Sequence, residues 1–150
     1  MSRVEAAAVV ELAAAEARAV WSDLDRWPSF VEGFAHVAEV RGDWPAAGAR
    51  VVWESTPGGR GRVTEEVLDD SSERFATRVI EDALEGEQSA RFTPVDEGRA
   101  RVDLRLEYEL SDPGLVKALS DLLFIRRALR DALKRTLRRY AREAAGEAEP

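Results

Sequence analysis

Apolar residues in the last third of the chain recur at steps of three, four or seven positions, the spacing of an amphipathic helix. The stripe consists of Leu115, Leu119, Leu122, Leu129, Leu133, Leu137 and Tyr140. Asp112 and Pro113 suit a helix start, because Asp caps free N–H groups and Pro fits the first turn. No proline, and no glycine until Gly146, interrupts the stripe. The sequence therefore predicts one long helix over residues 113–145, followed by a flexible tail at 146–150.

Shorter segments before this helix alternate between apolar and polar residues, as strands with one buried face do. The clearest example is residues 99–110, where every second residue from Val102 to Leu110 is apolar and the others are charged. Predicted strands cover residues 4–12, 34–41, 50–56, 60–68, 74–81, 85–94 and 99–110. The connections between the last six are of hairpin length, so neighbouring strands should be antiparallel.

Two short helices are predicted between the first and second strands. Residues 13–24 are rich in Ala and Glu, and residues 25–31 place Asp25 as a cap with Pro28 in the first turn. The apolar edge of the first helix consists of Val20, Trp21 and Leu24. The predicted fold is therefore α+β: a curved seven-stranded antiparallel sheet wrapped around the long C-terminal helix.

Composition suits one globular domain, predicted over residues 1–145, with 45% hydrophobic and 34% charged residues. No apolar run is long enough for a membrane span, and residues 4–12 lack a signal-peptide cleavage site. The chain has no cysteine, which excludes disulfides and thiolate sites. We therefore expect a cytoplasmic protein, and the heavy use of Ala, Arg, Glu and Val suggests a bacterial one.

Charge is distributed unevenly along the chain. Residues 114–142 hold nine Lys/Arg and two acids, so they carry +7 and the rest carries −14 of a net charge of −7. One interpretation is a solvated helix face. The other is a docking strip for an acidic partner, such as a carrier protein or an anionic membrane surface. RNA is not expected, since the whole chain is acidic and contains no nucleic-acid-binding motif.

Familiar catalytic and cofactor motifs are missing. His36 is the only histidine, so a His-pair metal site is excluded, and we expect it to lie on the surface rather than to act as a general base. The run Gly58-Gly59-Arg60-Gly61 lies between strands and precedes no helix, so it does not fit a phosphate loop. No metal and no cofactor are expected.

The order of elements, together with the run WPSF after the first helix, resembles the START-like (SRPBCC) superfamily with its helix-grip fold. Within it, the chain is most similar to the polyketide cyclase/dehydrase and lipid-transport family. Residues 20–31 match its first motif, Gly48-Ala49-Arg50-Val51 opens the third strand in the family manner, and Gly98-Arg99-Ala100-Arg101-Val102 opens the last. The resemblance covers residues 3–143 and implies an internal cavity for apolar molecules.

Aromatase/cyclases of this family carry a Trp-x-Ser-x-Arg run on the fourth strand, whose Arg polarises the substrate. Aligned by the turn at Asp69-Asp70, that run falls on residues 62–66, where Arg, Thr and Glu replace its Trp, Ser and Arg. The usual catalytic arginine is thus not expected. The alignment does imply that Arg62, Thr64 and Glu66 face the cavity.

The predicted cavity lining combines aromatic, apolar and charged residues from the sheet and the long helix. It consists of Trp27, Phe34, Trp53, Arg62, Thr64, Glu66, Tyr108, Leu122 and Arg126. Two interpretations of Glu66 are open: an internal pair with Arg62 or Arg126, or side chains that each reach solvent. The leading hypothesis is binding or transport of a hydrophobic small molecule such as a lipid, quinone or polyketide. The alternatives are a polyketide cyclase/aromatase-like enzyme and a protein-interaction module that uses the basic helix face.

Overall fold

The computed structural model describes residues 2–112, 114 and 118–148. The strands are β1 (Ser2–Val10), β2 (Phe34–Arg41), β3 (Arg50–Ser55), β4 (Arg62–Asp70), β5 (Arg74–Ile80), β6 (Leu84–Asp96) and β7 (Arg99–Leu110). The helices are α1 (Ala14–Ser22), α2 (Trp27–Phe30) and α3 (Leu119–Ala148), and a 3₁₀ turn (Leu24–Arg26) joins α1 to α2. The predicted element order and the helix-grip fold are confirmed.

The seven strands form one antiparallel sheet in the order β1-β7-β6-β5-β4-β3-β2. The first strand therefore pairs with the last, and every other pair joins chain neighbours through a short connection. At Gly86, β6 lies so close to β7 that an added Cβ would collide with the carbonyl oxygen of Glu107. A glycine is required there because any side chain would push the two strands apart.

The core lies between the inner face of the sheet and α3. On β7 the predicted alternation is confirmed, because its apolar residues from Val102 to Tyr108 are buried while its charged residues reach solvent. The helix contributes Leu133, Leu137, Tyr140 and Ala144. Trp21 of α1 packs edge-on against Tyr140, with ring centroids 5.0 Å apart. α1 and α3 therefore share one apolar layer over the sheet.

The start of α3 differs from the prediction. The helix begins at Leu119, and the predicted start at Pro113 and the stripe residue Leu115 lie outside the described residues. The Asp112 carboxylate accepts a hydrogen bond from the Gly114 N–H at 3.0 Å, so it supports a local turn before the helix. No helix within the described ranges is long and apolar enough to span a membrane.

The end of α3 also differs, since the helix continues through Gly146 to Ala148. Arg26, from the 3₁₀ turn, forms ion pairs with Glu143 at 3.1 Å and with Glu147 at 2.6 Å. These contacts tie the last turns to the rest of the protein, which explains why the single glycine does not end the helix there.

The two short helices form as predicted, with one change in the capping residue. Pro28 lies in the first turn of α2, but Asp25 does not cap it. Instead, the Asp23 carboxylate accepts a hydrogen bond from the Asp25 N–H at 3.0 Å and begins the 3₁₀ turn. The resulting bend carries Trp27 and Phe30 into the core.

Candidate functional site

A cavity of about 330 Å³ lies between the inner face of the sheet and α3. Its walls are mainly apolar and consist of Trp21, Trp27 and Phe30 from the short helices, Phe75, Leu84 and Leu106 from the sheet, and Leu129, Ala132 and Leu133 from α3. The exposed residues Thr56, Pro57, Gly58 and Gly59, in the hairpin between β3 and β4, line one end. The cavity therefore reaches the surface at this hairpin.

The Glu65 carboxylate, on β4, lies in the cavity wall and is only 5% exposed. Trp53 Nε1 donates a hydrogen bond to its Oε2, and the Thr77 hydroxyl donates one to its Oε1, both at 2.8 Å. Three adjacent strands supply these groups, because β4 pairs with β3 on one side and with β5 on the other. Each carboxylate oxygen thus has one donor from the protein.

Burial raises the pKa of Glu65, because water can no longer solvate its charged form. The nearby positive charge of Arg60 and the hydrogen bonds from Trp53 and Thr77 oppose this shift but are smaller than the effect of burial. The neutral acid retains a proton that it can donate to a ligand oxygen. The cavity therefore contains a carboxyl group suited to hydrogen bonding or proton transfer.

Arg60, in the hairpin before β4, supplies a positive charge to the cavity wall. Its guanidinium pairs with the Glu81 carboxylate at 2.6 Å, and its Cζ lies 5.0 Å from the centroid of the Trp53 ring. This pairing fixes the guanidinium between the ring and the acid. Arg60 thus lies at the open end of the cavity with its charge largely compensated.

Aromatic packing holds Trp27, a residue of the cavity wall, in place. Trp27 Nε1 donates a hydrogen bond to the Trp21 carbonyl oxygen at 2.9 Å, and the Trp27 ring contacts Phe34 and Trp53 edge-on. The Phe34 and Trp53 ring centroids are 5.2 Å apart. Trp53 is fully buried, so the donor to Glu65 has little freedom to move.

The family of the chain follows from comparison with known families. The family model described as polyketide cyclase / dehydrase and lipid transport matches residues 1–145. The chain belongs to this family. A comparison with curated protein sequences found no match.

Several solved structures have the same fold as this chain. A START superfamily protein from Mycobacterium smegmatis is 14% identical, with a TM-score of 0.75 over 96% of this chain and 97% of that one. The Zhui aromatase/cyclase from Streptomyces sp. R1128 is 17% identical, with a TM-score of 0.72 over 98% and 93%. Norcoclaurine synthase from Thalictrum flavum is 16% identical, with a TM-score of 0.68 over 99% and 96%. At these identities the likeness shows the shared fold, and two of these relatives are enzymes.

Four of the residues predicted for the cavity lie near it. Trp27 lines the cavity directly, and Trp53 donates a hydrogen bond to Glu65, which also lines it. Phe34 packs on both tryptophans, and Tyr108 is buried on the inner face of β7, but neither is part of the lining. Whether any of them binds a ligand stays a prediction.

The placement predicted for Arg62, Thr64 and Glu66 is wrong. Arg62 is exposed and pairs with Glu54 at 3.3 Å, while Glu66 pairs with Arg50 at 3.4 Å on the outer face of the sheet. Thr64 shares that outer face. The inward residues of β4 are Val63, Glu65 and Val67.

A β-bulge explains this error. The pairing of β4 with β5 is irregular between Val67 and Asp69, which leaves one extra residue in β4. Counting positions back from the turn at Asp69-Asp70 passes through this bulge, so every position before it is assigned to the opposite face. The family alignment therefore pointed to Glu66 when the inward acid is its neighbour Glu65.

Leu122 and Arg126 were predicted to face the cavity from the long helix, and both are exposed. They lie in the first turns of α3, whereas the helix first lines the cavity at Leu129. The proposed internal pair of Glu66 with Arg62 or Arg126 does not form. His36 is exposed on β2, as predicted.

Sequence reasoning missed Glu65, Thr77 and Arg60. For Glu65 a signal was present, because Val63 and Val67 are apolar residues two positions away on either side and mark the inward face of β4. For Thr77 the neighbouring Ala76 and Phe75 are also buried, so alternation was ambiguous. Arg60 lies in a loop, where periodicity carries no information.

Proposed function

We propose that the cavity binds a hydrophobic small molecule that carries one oxygen able to accept a hydrogen bond. The observation that carries this proposal is the apolar hollow of about 330 Å³ with the Glu65 carboxyl group in its wall. Ligand pockets are mostly apolar and contain a few polar groups that fix orientation. The family, whose description includes lipid transport, supports the same reading.

Cavity size favours a compact ligand. Pockets for small molecules range over about 300–1,000 Å³, and this one lies near the lower limit. A molecule of two or three fused rings, such as a quinone or an aromatic polyketide, suits it better than a lipid with two acyl chains. When protonated, the Glu65 carboxyl group would donate a hydrogen bond to a carbonyl or hydroxyl oxygen of such a ligand.

The test uses prodan, a naphthalene ketone whose fluorescence shifts to the blue in apolar surroundings. Trp21 and Trp27 line the cavity, so prodan bound there should accept energy from their excited state. The matched variants are Ala132→Phe, which fills the cavity, and Ala128→Phe, which adds the same ring on the exposed side of α3.

We expect saturable binding to the wild type, unchanged affinity in Ala128→Phe, and affinity lower by roughly tenfold in Ala132→Phe, or about 1.4 kcal/mol. Thermal unfolding curves should confirm that both variants fold. Equal affinity in the two folded variants would contradict the proposal, because the probe would then bind elsewhere.

An enzymatic role is the second candidate, and Glu65 is the observation that favours it. A carboxyl group with a raised pKa in an apolar cavity can exchange a proton with a carbon next to a carbonyl group, as cyclisation of a polyketide chain requires. Such an enzyme would also act by shaping a flexible substrate and excluding water. The aromatase/cyclase and norcoclaurine synthase neighbours show that this fold supports enzymes.

A further inference from the structure

The first turns of α3 expose large apolar side chains. Leu119, Leu123 and Phe124, which we call the α3 tip, are 72%, 57% and 73% exposed. The helix joins the core only from Ile125 and Leu129 onward, so the tip projects beyond the packed part of the molecule. Neighbouring exposed apolar residues of this size usually mark a contact site.

A row of cations continues from the tip along the same side of the helix. Arg127, Arg130, Lys134 and Arg138 follow Leu123 at steps of four, three, four and four residues, so they share a sector of about 80°. All four are exposed. Among the residues that the structure describes, none of these four forms an ion pair, whereas Arg135 and Arg139 both bind Glu32.

Charge in this region contrasts with the rest of the protein. Residues 119–142 contain eight Lys/Arg and two acids, Asp121 and Asp131, although the whole chain has a net charge of −7. An anionic surface would therefore attract this side of the molecule and repel the others. The field orients the protein before any contact forms.

The tip lies at the open end of the cavity. Strand pairing brings Arg62 of β4, Ile80 of β5 and Leu84 of β6 toward one end of the sheet, together with the hairpin at residues 56–59. Running backward, α3 passes from Tyr140, which contacts α1, to Leu129 in the cavity wall. The residues before Leu129 extend past that open end.

We propose that the α3 tip docks on an anionic lipid surface, with its three apolar side chains in the interfacial layer and Arg127 and Arg130 on lipid phosphates. The three side chains point over an arc of about 140° around a convex helix end. A fluid lipid layer adapts to such a shape, whereas a protein partner would need a matching groove. Leu and Phe beside basic residues are also typical of interfacial helices. The docked cavity would open toward the bilayer.

The experiment is co-sedimentation of the full chain with vesicles of phosphatidylcholine, alone or mixed with phosphatidylserine. We expect binding to the mixed vesicles that weakens with added salt, since exposed charges are screened. Leu123→Ser/Phe124→Ser and Arg127→Glu/Arg130→Glu should each lower the partition coefficient onto the mixed vesicles by roughly tenfold, a change of about 1.4 kcal/mol.

Matched controls lie on the sheet. Val40→Ser removes an exposed apolar residue elsewhere, and Arg99→Glu/Arg101→Glu makes the same change in net charge at the end of the sheet far from the cavity opening. Both should bind vesicles as the wild type does. Prodan binding should persist in the tip variants, which separates lipid docking from the function of the cavity.

Three outcomes would overturn the proposal. The first is equal sedimentation with both kinds of vesicle, or tip variants that bind like the wild type. The second is a wild-type dimer in analytical ultracentrifugation that Phe124→Ser converts to a monomer, because the tip would then join two copies of the chain. The third is capture of a purified acidic carrier protein through Arg127 and Arg130 without vesicle binding.

Discussion

Glu65 shows how one side chain sets the chemistry of the cavity. An ionised carboxylate at this depth would lose its hydration. The hydrogen bonds from Trp53 and Thr77, together with Arg60, whose charge is already paired with Glu81, compensate for this loss only in part. Folding therefore shifts the equilibrium of Glu65 toward the neutral acid, which is the direction of its raised pKa. Either proposed role of the cavity depends on this proton.

The raised pKa of Glu65 predicts how stability depends on pH. Below the ordinary glutamate value of 4.5, both folded and unfolded chains hold the proton and the stabilisation is complete. As pH rises above that value, only the unfolded chain releases the proton. The free energy of unfolding therefore falls by about 1.4 kcal/mol per pH unit until the raised pKa is reached.

Urea denaturation at a series of pH values, on the wild type and Glu65→Gln, measures this effect. The free-energy difference between the two should change with pH above 4.5, because Gln does not titrate. The neighbouring Glu66→Gln is the control and should follow the wild type, since Glu66 is on the outer face. A difference that stays constant with pH would mean that Glu65 is ionised in the folded protein, and the acid–base alternative would lose its support.

For single strand residues, the sequence predicted the inward or outward direction correctly only where the alternation of apolar and polar residues is unbroken. The inward residues of β7 were identified from their pattern. Trp27, which lies in the cavity wall, was expected there from the family resemblance and not from alternation. Glu66 was chosen over Glu65 because the β-bulge after Val67 shifts by one the positions counted back from the turn. No local residue pattern indicates that bulge. The apolar neighbours of Glu65 were the better guide.

Among the elements, α3 both closes the cavity and depends on α1 and α2 for its position. The Tyr140 hydroxyl donates a hydrogen bond to the Ala17 carbonyl oxygen at 2.5 Å, and the Thr136 hydroxyl accepts one from the Glu32 N–H at 3.0 Å. Burial raises the pKa of Tyr140, so its hydroxyl keeps its proton and remains a donor. These two hydrogen bonds fix the position of α3 along its own axis. Apolar packing alone would resist such sliding only weakly.

Tyr140→Phe tests this anchoring of α3. The variant keeps the ring contacts with Trp21 and Phe30 but removes the hydrogen bond to Ala17. We expect a loss of about 1–2 kcal/mol in the free energy of unfolding, measured by urea denaturation. Tyr108→Phe is the control, because Tyr108 is equally buried and its hydroxyl makes no hydrogen bond among the described residues; its effect should stay within about 0.5 kcal/mol. Equal effects would show that the hydroxyl does not anchor the helix.

Most elements were predictable because each strand has one apolar face and each connection has turn residues. The start of α3 was not, since Asp112, which was interpreted as a helix cap, accepts a hydrogen bond in a local turn from Gly114, and the helix begins at Leu119. The end was missed because Arg26 is distant in sequence from Glu143 and Glu147, and a single chain segment does not show such a pair.

At the scale of the whole molecule, element order sufficed to predict the fold. Few arrangements are possible for one sheet of antiparallel neighbours and a single long amphipathic helix. The family assignment agrees with the arrangement observed. The size of the hollow was not predictable, because it depends on how far α3 stands from β4 and β5. That distance depends on the packing of Trp21, Trp27 and Tyr140.

A crystal structure of the protein with prodan would show whether this hollow holds a ligand. We expect one molecule between α3 and the inner sheet face, with the ketone oxygen in hydrogen-bond contact with Glu65. Density for prodan only on the α3 tip or the outer sheet face, with the cavity walls collapsed on each other, would contradict it.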